Sequence, residues 1–173
     1  MIFVYTGLGK GKTTAALGQA IRALGQKKSV LMIQFVKSRK FPSGEDKIIS
    51  KFGSRFRLIK GGKGFVKILG DKLPFKTHKK AATGTLKTAQ KAILSKSFDL
   101  VILDEINVAL SLKLIQLREV LKILEKADPQ TDIILTGRGA DSELIKIADL
   151  ATEFREIKHP FKAGITAEKG REF

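Results

Sequence analysis

Thr6-Gly7-Leu8-Gly9-Lys10-Gly11-Lys12-Thr13-Thr14 follows the apolar run Ile2-Phe3-Val4-Tyr5 and opens a segment of helical period. A glycine-rich turn between a buried strand and a helix restricts the chain to a few architectures. The strand must enter a sheet, the helix must pack on it, and the turn must face ligands beyond the carboxyl end of the strand. In such a turn the glycines let backbone N–H groups point inward as an anion nest, and the helix adds the positive end of its dipole. Lys12 is then placed to reach nucleotide phosphates, and Thr13 to offer its hydroxyl to Mg²⁺. The spacing departs from the usual phosphate loop: counting back from Gly11-Lys12-Thr13, the first consensus glycine falls on Thr6, and starting from Gly7 the loop is one residue shorter.

Beyond the loop, short apolar runs alternate with longer helical patterns, which predicts a βαβ series around a mainly parallel sheet. Strands are expected over 2–5, 30–35, 56–59, 100–103, 132–135 and 153–157. Helices are expected over 12–24, 77–94, 113–126 and 141–148. In the first helix Leu17, Ala20, Ile21 and Leu24 share a face; in the third, Leu114, Leu117, Leu121 and Leu124 form one stripe. The fold class is therefore α/β: a single-domain P-loop NTPase-like fold over residues 1–173, with a mainly parallel sheet flanked by helices. A chain of 173 residues buries roughly 70% of its unfolded surface, enough for a core without cross-links. The absence of Cys excludes disulfides, thiolate zinc sites and thiol catalysis. No apolar run approaches the about 20 residues a membrane span needs, and the N-terminus carries no secretory pattern, so a cytoplasmic protein is expected.

Two further strand ends carry polar groups. Leu100-Val101-Ile102-Leu103 runs into Asp104-Glu105, the pattern of a second nucleotide motif whose acid holds Mg²⁺ directly or through water. Glu105 is equally a candidate general base for water, which would make the chain an ATPase or a nucleoside kinase. Thr136-Gly137-Arg138-Gly139 ends another strand, where Arg138 suits triphosphate oxygens and a leaving group's charge. His78 and His159, isolated and far apart, point to neither a metal site nor a nucleophile relay. Charge is concentrated: residues 37–96 hold 17 basic and 3 acidic residues, a surplus of 14 in a chain of net charge +16. Within that block, residues 37–75 fit the layered pattern least. They predict a basic, loop-rich substrate region above the sheet, where Phe41, Phe65 and Phe75 either face a flat ligand or pack the loop. A nucleic-acid-associated ATP-binding module is a third reading of the block, and the absence of a base-stacking aromatic motif among the lysines argues against it.

These motifs specify a Mg²⁺-dependent nucleotide-binding domain without naming its reaction. The combination, however, resembles the P-loop type of ATP:corrinoid adenosyltransferases, the cob(I)yrinic acid a,c-diamide adenosyltransferases. The resemblance covers almost the whole chain: the shortened loop 6–16, Gln34-Phe35-Val36-Lys37 with Gly44-Glu45, Gly64-Phe65, Leu103-Asp104-Glu105, Thr136-Gly137-Arg138-Gly139-Ala140, Ala148-Asp149, Lys158-His159-Pro160-Phe161, Gly164-Ile165, Ala167 and Gly170. It implies that ATP is a co-substrate, that a corrinoid reduced to Co(I) takes its 5′-deoxyadenosyl group, and that triphosphate leaves. It further implies that loop residues 6–14 and Arg138 bind the nucleotide, with Lys12, Arg138 and Glu105 acting in the reaction. Thr13, Asp104 and Glu105 hold Mg²⁺ in this picture, and Phe65 meets the corrinoid. No protein nucleophile is needed, so both histidines can be bystanders. A flavoprotein reductant and a homodimer belong to the same picture; nucleic acid and membrane do not. The chain departs from the family where a Phe-x-Trp pair is usual: Gly64-Phe65-Val66-Lys67 keeps the Phe and places Lys67 at the Trp position. A second family tryptophan appears as Phe41, in a loop one residue longer.

Overall fold

The structure, a computed structural model, describes residues 1–40, 42–68 and 70–171, without the side chains of residues 161 and 163. Phe41 and the Phe161 side chain therefore lie outside the described residues. Six strands, β1 (Ile2–Thr6), β2 (Val30–Gln34), β3 (Phe56–Lys60), β4 (Leu100–Asp104), β5 (Asp132–Thr136) and β6 (Leu150–Glu153), form one sheet in the order β3-β2-β4-β5-β1-β6. Every pairing is parallel, so all six carboxyl ends lie along one edge. The helices are α1 (Lys12–Gly25), α2 (Gly44–Ile48), α3 (Phe75–Leu94), α4 (Ile106–Ser111), α5 (Leu117–Glu125) and α6 (Ser142–Ile147). A 3₁₀ segment, Ile49–Arg55, kinked at Gly53, joins α2 to β3.

Successive strand residues feed opposite faces. Val101 and Leu103 join Val4, Leu31, Ile33, Ile133 and Leu135 in a core beneath α3, α4, α5 and α6. Leu100 and Ile102 join Met32 and Ile134 in a second core beneath α1. Apolar residues 100–103 are each at most 2% exposed, and each such side chain contributes about 1.5–3 kcal/mol relative to exposure. The central strand β4 thus presents Asp104 at its end from a rigid base. Sheet faces covered on both sides explain why the strands read as continuous apolar runs rather than alternating ones.

Three predicted elements are corrected. The last strand lies at 150–153, not 153–157: Asp149 accepts from the Ile2 backbone N–H at 2.6 Å, which sets the register Phe3 to Leu150. All four of its residues are exposed, so this edge strand has no apolar signature. The 113–126 helix begins at Leu117, because Lys113 takes a left-handed turn (φ 56°) and Gln116 and Glu119 form a capping box. Leu114 packs ahead of the helix, and Val120, Ile123 and Leu124 carry its buried face. On α1, Ala16, Ala20 and Ala23 face the sheet while Ile21 is 56% exposed. A helix opened by a tight glycine turn lies close to the strands and admits methyl groups where leucines would not fit.

Candidate active site

The three polar strand ends meet because β5 lies between β4 and β1. The phosphate loop bends at Gly7 (φ 97°) and Gly11 (φ 120°). A Cβ on Gly7 would stand 2.4 Å from the Phe154 carbonyl oxygen, so this position requires glycine. The loop is fastened on both sides: Gly9 N–H donates to the Phe154 carbonyl at 2.7 Å, and Ala140 N–H donates to Thr6 Oγ1 at 3.1 Å. Phe154, the residue after β6, also meets the Tyr5 ring edge-on, with centroids 6.0 Å apart.

Lys12 is 7% exposed and its ammonium donates to the carbonyls of Gly7 (2.7 Å) and Gly9 (2.6 Å). Burial lowers its pKa; Glu105 opposes that shift and Arg138 adds to it. Asp104 is the hub of the site and is fully buried. Its Oδ1 accepts from Thr13 Oγ1 (2.8 Å) and Thr136 Oγ1 (2.7 Å), and its Oδ2 from Gln34 Nε2 (3.0 Å), with Lys37 Nζ at 3.3 Å. A carboxylate offers about four acceptor sites, so protein donors occupy all of Asp104's. Glu105 turns out of the strand in a left-handed conformation (φ 61°), its N–H held by Thr136 Oγ1 at 3.0 Å. Burial first, and then the Asp104 charge, push its carboxyl pKa upward. The helix α4 that starts here has no sequence signal, because six residues are too few for a periodic pattern. Its Asn107 is fully buried and donates to the Gly137 carbonyl at 3.3 Å, supporting the turn that projects Arg138.

A cavity of about 400 Å³ opens above these groups. Of the residues the sequence singled out, Gly9, Lys10, Gly11, Lys12, Thr13, Thr14, Glu105 and Arg138 line it. Asp104 lies beneath it. Thr6, Gly7 and Leu8 shape the loop without lining the cavity; Leu8 is 67% exposed. Leu17, Lys37, Gly44, Glu45, His159, Gly170 and Arg171 complete the wall, and Lys10 donates to the Arg171 carbonyl. Gln34-Phe35-Val36-Lys37, Gly44-Glu45 and Lys158-His159 are legible in the sequence as motifs, without roles. His159 stands on the cavity wall, and His78, 3% exposed, lies 2.9 Å from Asp71.

Phe65 is not part of the cavity wall. It stands 51% exposed beside Val66, which is buried in the larger core. Lys67, at the family's tryptophan position, takes φ 59°, donates its N–H to Asp71 Oδ2 (2.9 Å) and sets its ammonium 4.9 Å from the centre of the Phe75 ring. It is thus engaged with the first residue of α3. Among the described residues no three His, Cys, Asp or Glu side chains converge on a metal site. Mg²⁺ bound with nucleotide requires fewer, typically one or two carboxylates besides phosphates and water. The hard oxygens of Thr13 and Glu105 beside Asp104 fit that demand.

Residues 1–173 match the ATP:corrinoid adenosyltransferase BtuR/CobO/CobP family. The chain belongs to this family. It is similar to the corrinoid adenosyltransferase of Escherichia coli (strain K12), 34% identical over 173 residues, which cover 100% of this chain and 85% of that protein. It is likewise similar to a corrinoid adenosyltransferase of Sinorhizobium sp, 37% identical over 180 residues, 100% of this chain and 80% of that one. Corrinoid adenosyltransferase CobA of Salmonella typhimurium is 32% identical over 173 residues, with 100% and 85% covered. In fold, the chain resembles the flagellar accessory protein FlaH from Methanocaldococcus jannaschii, with a TM-score of 0.58 at 11% identity, covering 88% of this chain and 69% of that one. That last likeness concerns architecture alone. The family's adenosyltransferase architecture is here a six-stranded parallel sheet with the phosphate loop at its carboxyl edge.

Proposed function

We infer that this chain moves the 5′-deoxyadenosyl group of ATP to the cobalt of a corrinoid reduced to Co(I), releasing inorganic triphosphate. The cobalt electron pair forms the Co–C5′ bond as the C5′–O5′ bond breaks, and the bonding pair leaves with the triphosphate. The observation that carries this reading is the convergence of Lys10, Lys12 and Arg138 with Thr13 and Glu105 on one cavity. A leaving group of about four negative charges is stabilised by cations and oriented donors placed where that charge develops. Loop residues 6–14 and Arg138 bind the nucleotide in this account, and no side chain needs to act as nucleophile.

Thr13 and Glu105 would hold Mg²⁺, with Asp104 acting through the Thr13 and Thr136 hydroxyls, since its own acceptor sites are occupied. When bound, Mg²⁺ neutralises phosphate charge and orients the triphosphate. Residues 37–75 form the corrinoid side of the site in this reading, with Phe65 exposed for contact and the lysines for the ligand's carboxylate and amide rim. A homodimer, a flavoprotein electron donor and a cytoplasmic setting follow from the motif resemblance. No helix among the described residues is long and apolar enough to cross a membrane.

The test is an anaerobic incubation of the protein with Mg-ATP and chemically reduced cobalamin, following the corrinoid spectrum and the phosphate products. Adenosylated corrinoid with stoichiometric triphosphate is expected. A persisting Co(I) spectrum with accumulating ADP and phosphate would replace this reading by Glu105-assisted hydrolysis.

A further inference from the structure

Lys37 is the first residue of the segment read as the corrinoid side, yet it lines the same cavity as Lys12, Thr13 and Arg138. Its backbone is clamped: Phe35 N–H donates to the Asp104 carbonyl at 2.9 Å, and Gly61 and Gly64 N–H donate to the carbonyls of Gln34 and Val36 at 3.0 and 3.1 Å. A Cβ on Gly62 would meet the Phe35 carbonyl oxygen at 2.5 Å, so the turn after β3 lies directly on this stretch. From that fixed point the Lys37 ammonium reaches between two carboxylates, 3.2 Å from Glu45 Oε1 and 3.3 Å from Asp104 Oδ2. The Gln34 amide donates to the same two oxygens, at 3.2 and 3.0 Å.

Two features separate Lys37 from a plain counter-ion. Its carboxylate partners are 12% and 0% exposed while its own side chain is 31% exposed, so of the three Lys37 is the most open, and it lines the cavity together with Glu45. An ammonium also has three donors; Glu45 and Asp104 account for two. We propose that Lys37 is a further triphosphate-binding residue, gripping phosphate oxygens of ATP and of the departing triphosphate, with Glu45 and Gln34 as the residues that position it. The proposal rests on the phosphate end of ATP occupying this cavity, as inferred above. It gives the start of the basic segment a direct part in binding the nucleotide and ties α2, through Glu45, to the carboxylate at the end of β4.

The test is calorimetric titration of the full chain with inorganic tripolyphosphate, for the parent, Lys37→Met, Lys37→Arg and the double variant Lys37→Met/Glu45→Gln. A charge-assisted hydrogen bond to phosphate predicts about a tenfold or greater loss of affinity in Lys37→Met, with partial recovery in Lys37→Arg. The double variant strands no carboxylate at Glu45 and leaves the net charge of the site unchanged. A loss in it therefore reports contact with phosphate and not the overall field, and it supplies the measurement if Lys37→Met folds poorly. Parent-like tripolyphosphate affinity in the double variant would overturn the proposal and leave Lys37 a counter-ion to Glu45 and Asp104. Because the probe is phosphate alone, the outcome stands whether or not the parent forms a Co–C bond, which the cobalamin assay decides separately.

Discussion

The ends of β1, β4 and β5 and the segment 37–75 both contribute to one cavity, but they are held by different forces. The strand ends are fixed by close backbone contacts and one saturated carboxylate: Gly7 and Gly9 without room for a Cβ, a loop amide on the Phe154 carbonyl, and an aspartate whose acceptor sites are all filled by side-chain donors. The segment is tied to the sheet by β3 and the Gly61 and Gly64 amides, and the rest of it by side-chain pins. Its three acidic residues are each paired, Glu45 with Lys37, Asp46 with the buried Lys60, and Asp71 with His78. Ile49, Phe56 and Val66 add apolar anchors. A site for a small, highly charged group needs rigid donors. A surface for a large ligand needs only enough anchoring to present its exposed residues, and excess lysines that no carboxylate neutralises.

This contrast makes ordered predictions. The largest effect is expected at the nucleotide end: Lys12→Met should lower kcat/KM for adenosylation by about 100-fold or more, read by corrinoid absorbance at varied ATP. A loss below tenfold would shift the main charge stabilisation to Arg138 and Lys10. Next comes backbone fit. Gly7→Ala should destabilise the fold by about 3 kcal/mol, from strain at positive φ and the clash with Phe154. Gly44→Ala, whose added Cβ meets nothing within 4 Å, should be neutral or stabilising by about 0.5 kcal/mol. Urea unfolding of both variants measures the difference, and equal effects would erase the distinction between the two regions.

Phe65→Ala should leave stability unchanged, because the ring is half exposed. It should slow adenosylation by about fivefold, the equivalent of one aromatic contact of ~1 kcal/mol, and more so when the reaction starts from Co(II) than from chemically prepared Co(I). Equal slowing from both would argue against a part in preparing the cobalt. The smallest effect is one of acid stability. The N–H groups of Lys67 and Leu73, and then His78, hold the Asp71 carboxyl below its ordinary range. A carboxyl lowered in the folded state stabilises it above the unfolded value, near about pH 3.9, and that contribution disappears as pH falls through the folded value. Parent stability should therefore fall more steeply than that of Asp71→Asn below about pH 4, in unfolding curves collected across that interval.

How much was legible depended on the range of the interaction. The phosphate loop and five of the six strands are local patterns and were readable. β6 was misplaced because an exposed edge strand carries no hydrophobic signal, and α4 was missed because it is short. Arg138, Glu105 and Lys12 were recognisable by type and position. Lys37, Glu45 and His159 were visible only as motif letters, since nothing local distinguishes a lysine on a cavity wall from the many on the solvated surface.

Sequence alone determined the chemistry available at each strand end, because a glycine turn, a terminal carboxylate and an arginine between glycines are properties of contiguous residues. Tertiary structure decided how those groups share work. Asp104 takes hydrogen bonds from residues 91, 70 and 32 positions away. Those partners exist only because the strand order sets β2 and β5 on either side of β4, with β1 next beyond β5. Strand order is a global outcome of packing two cores against one sheet, and no short stretch of sequence encodes it.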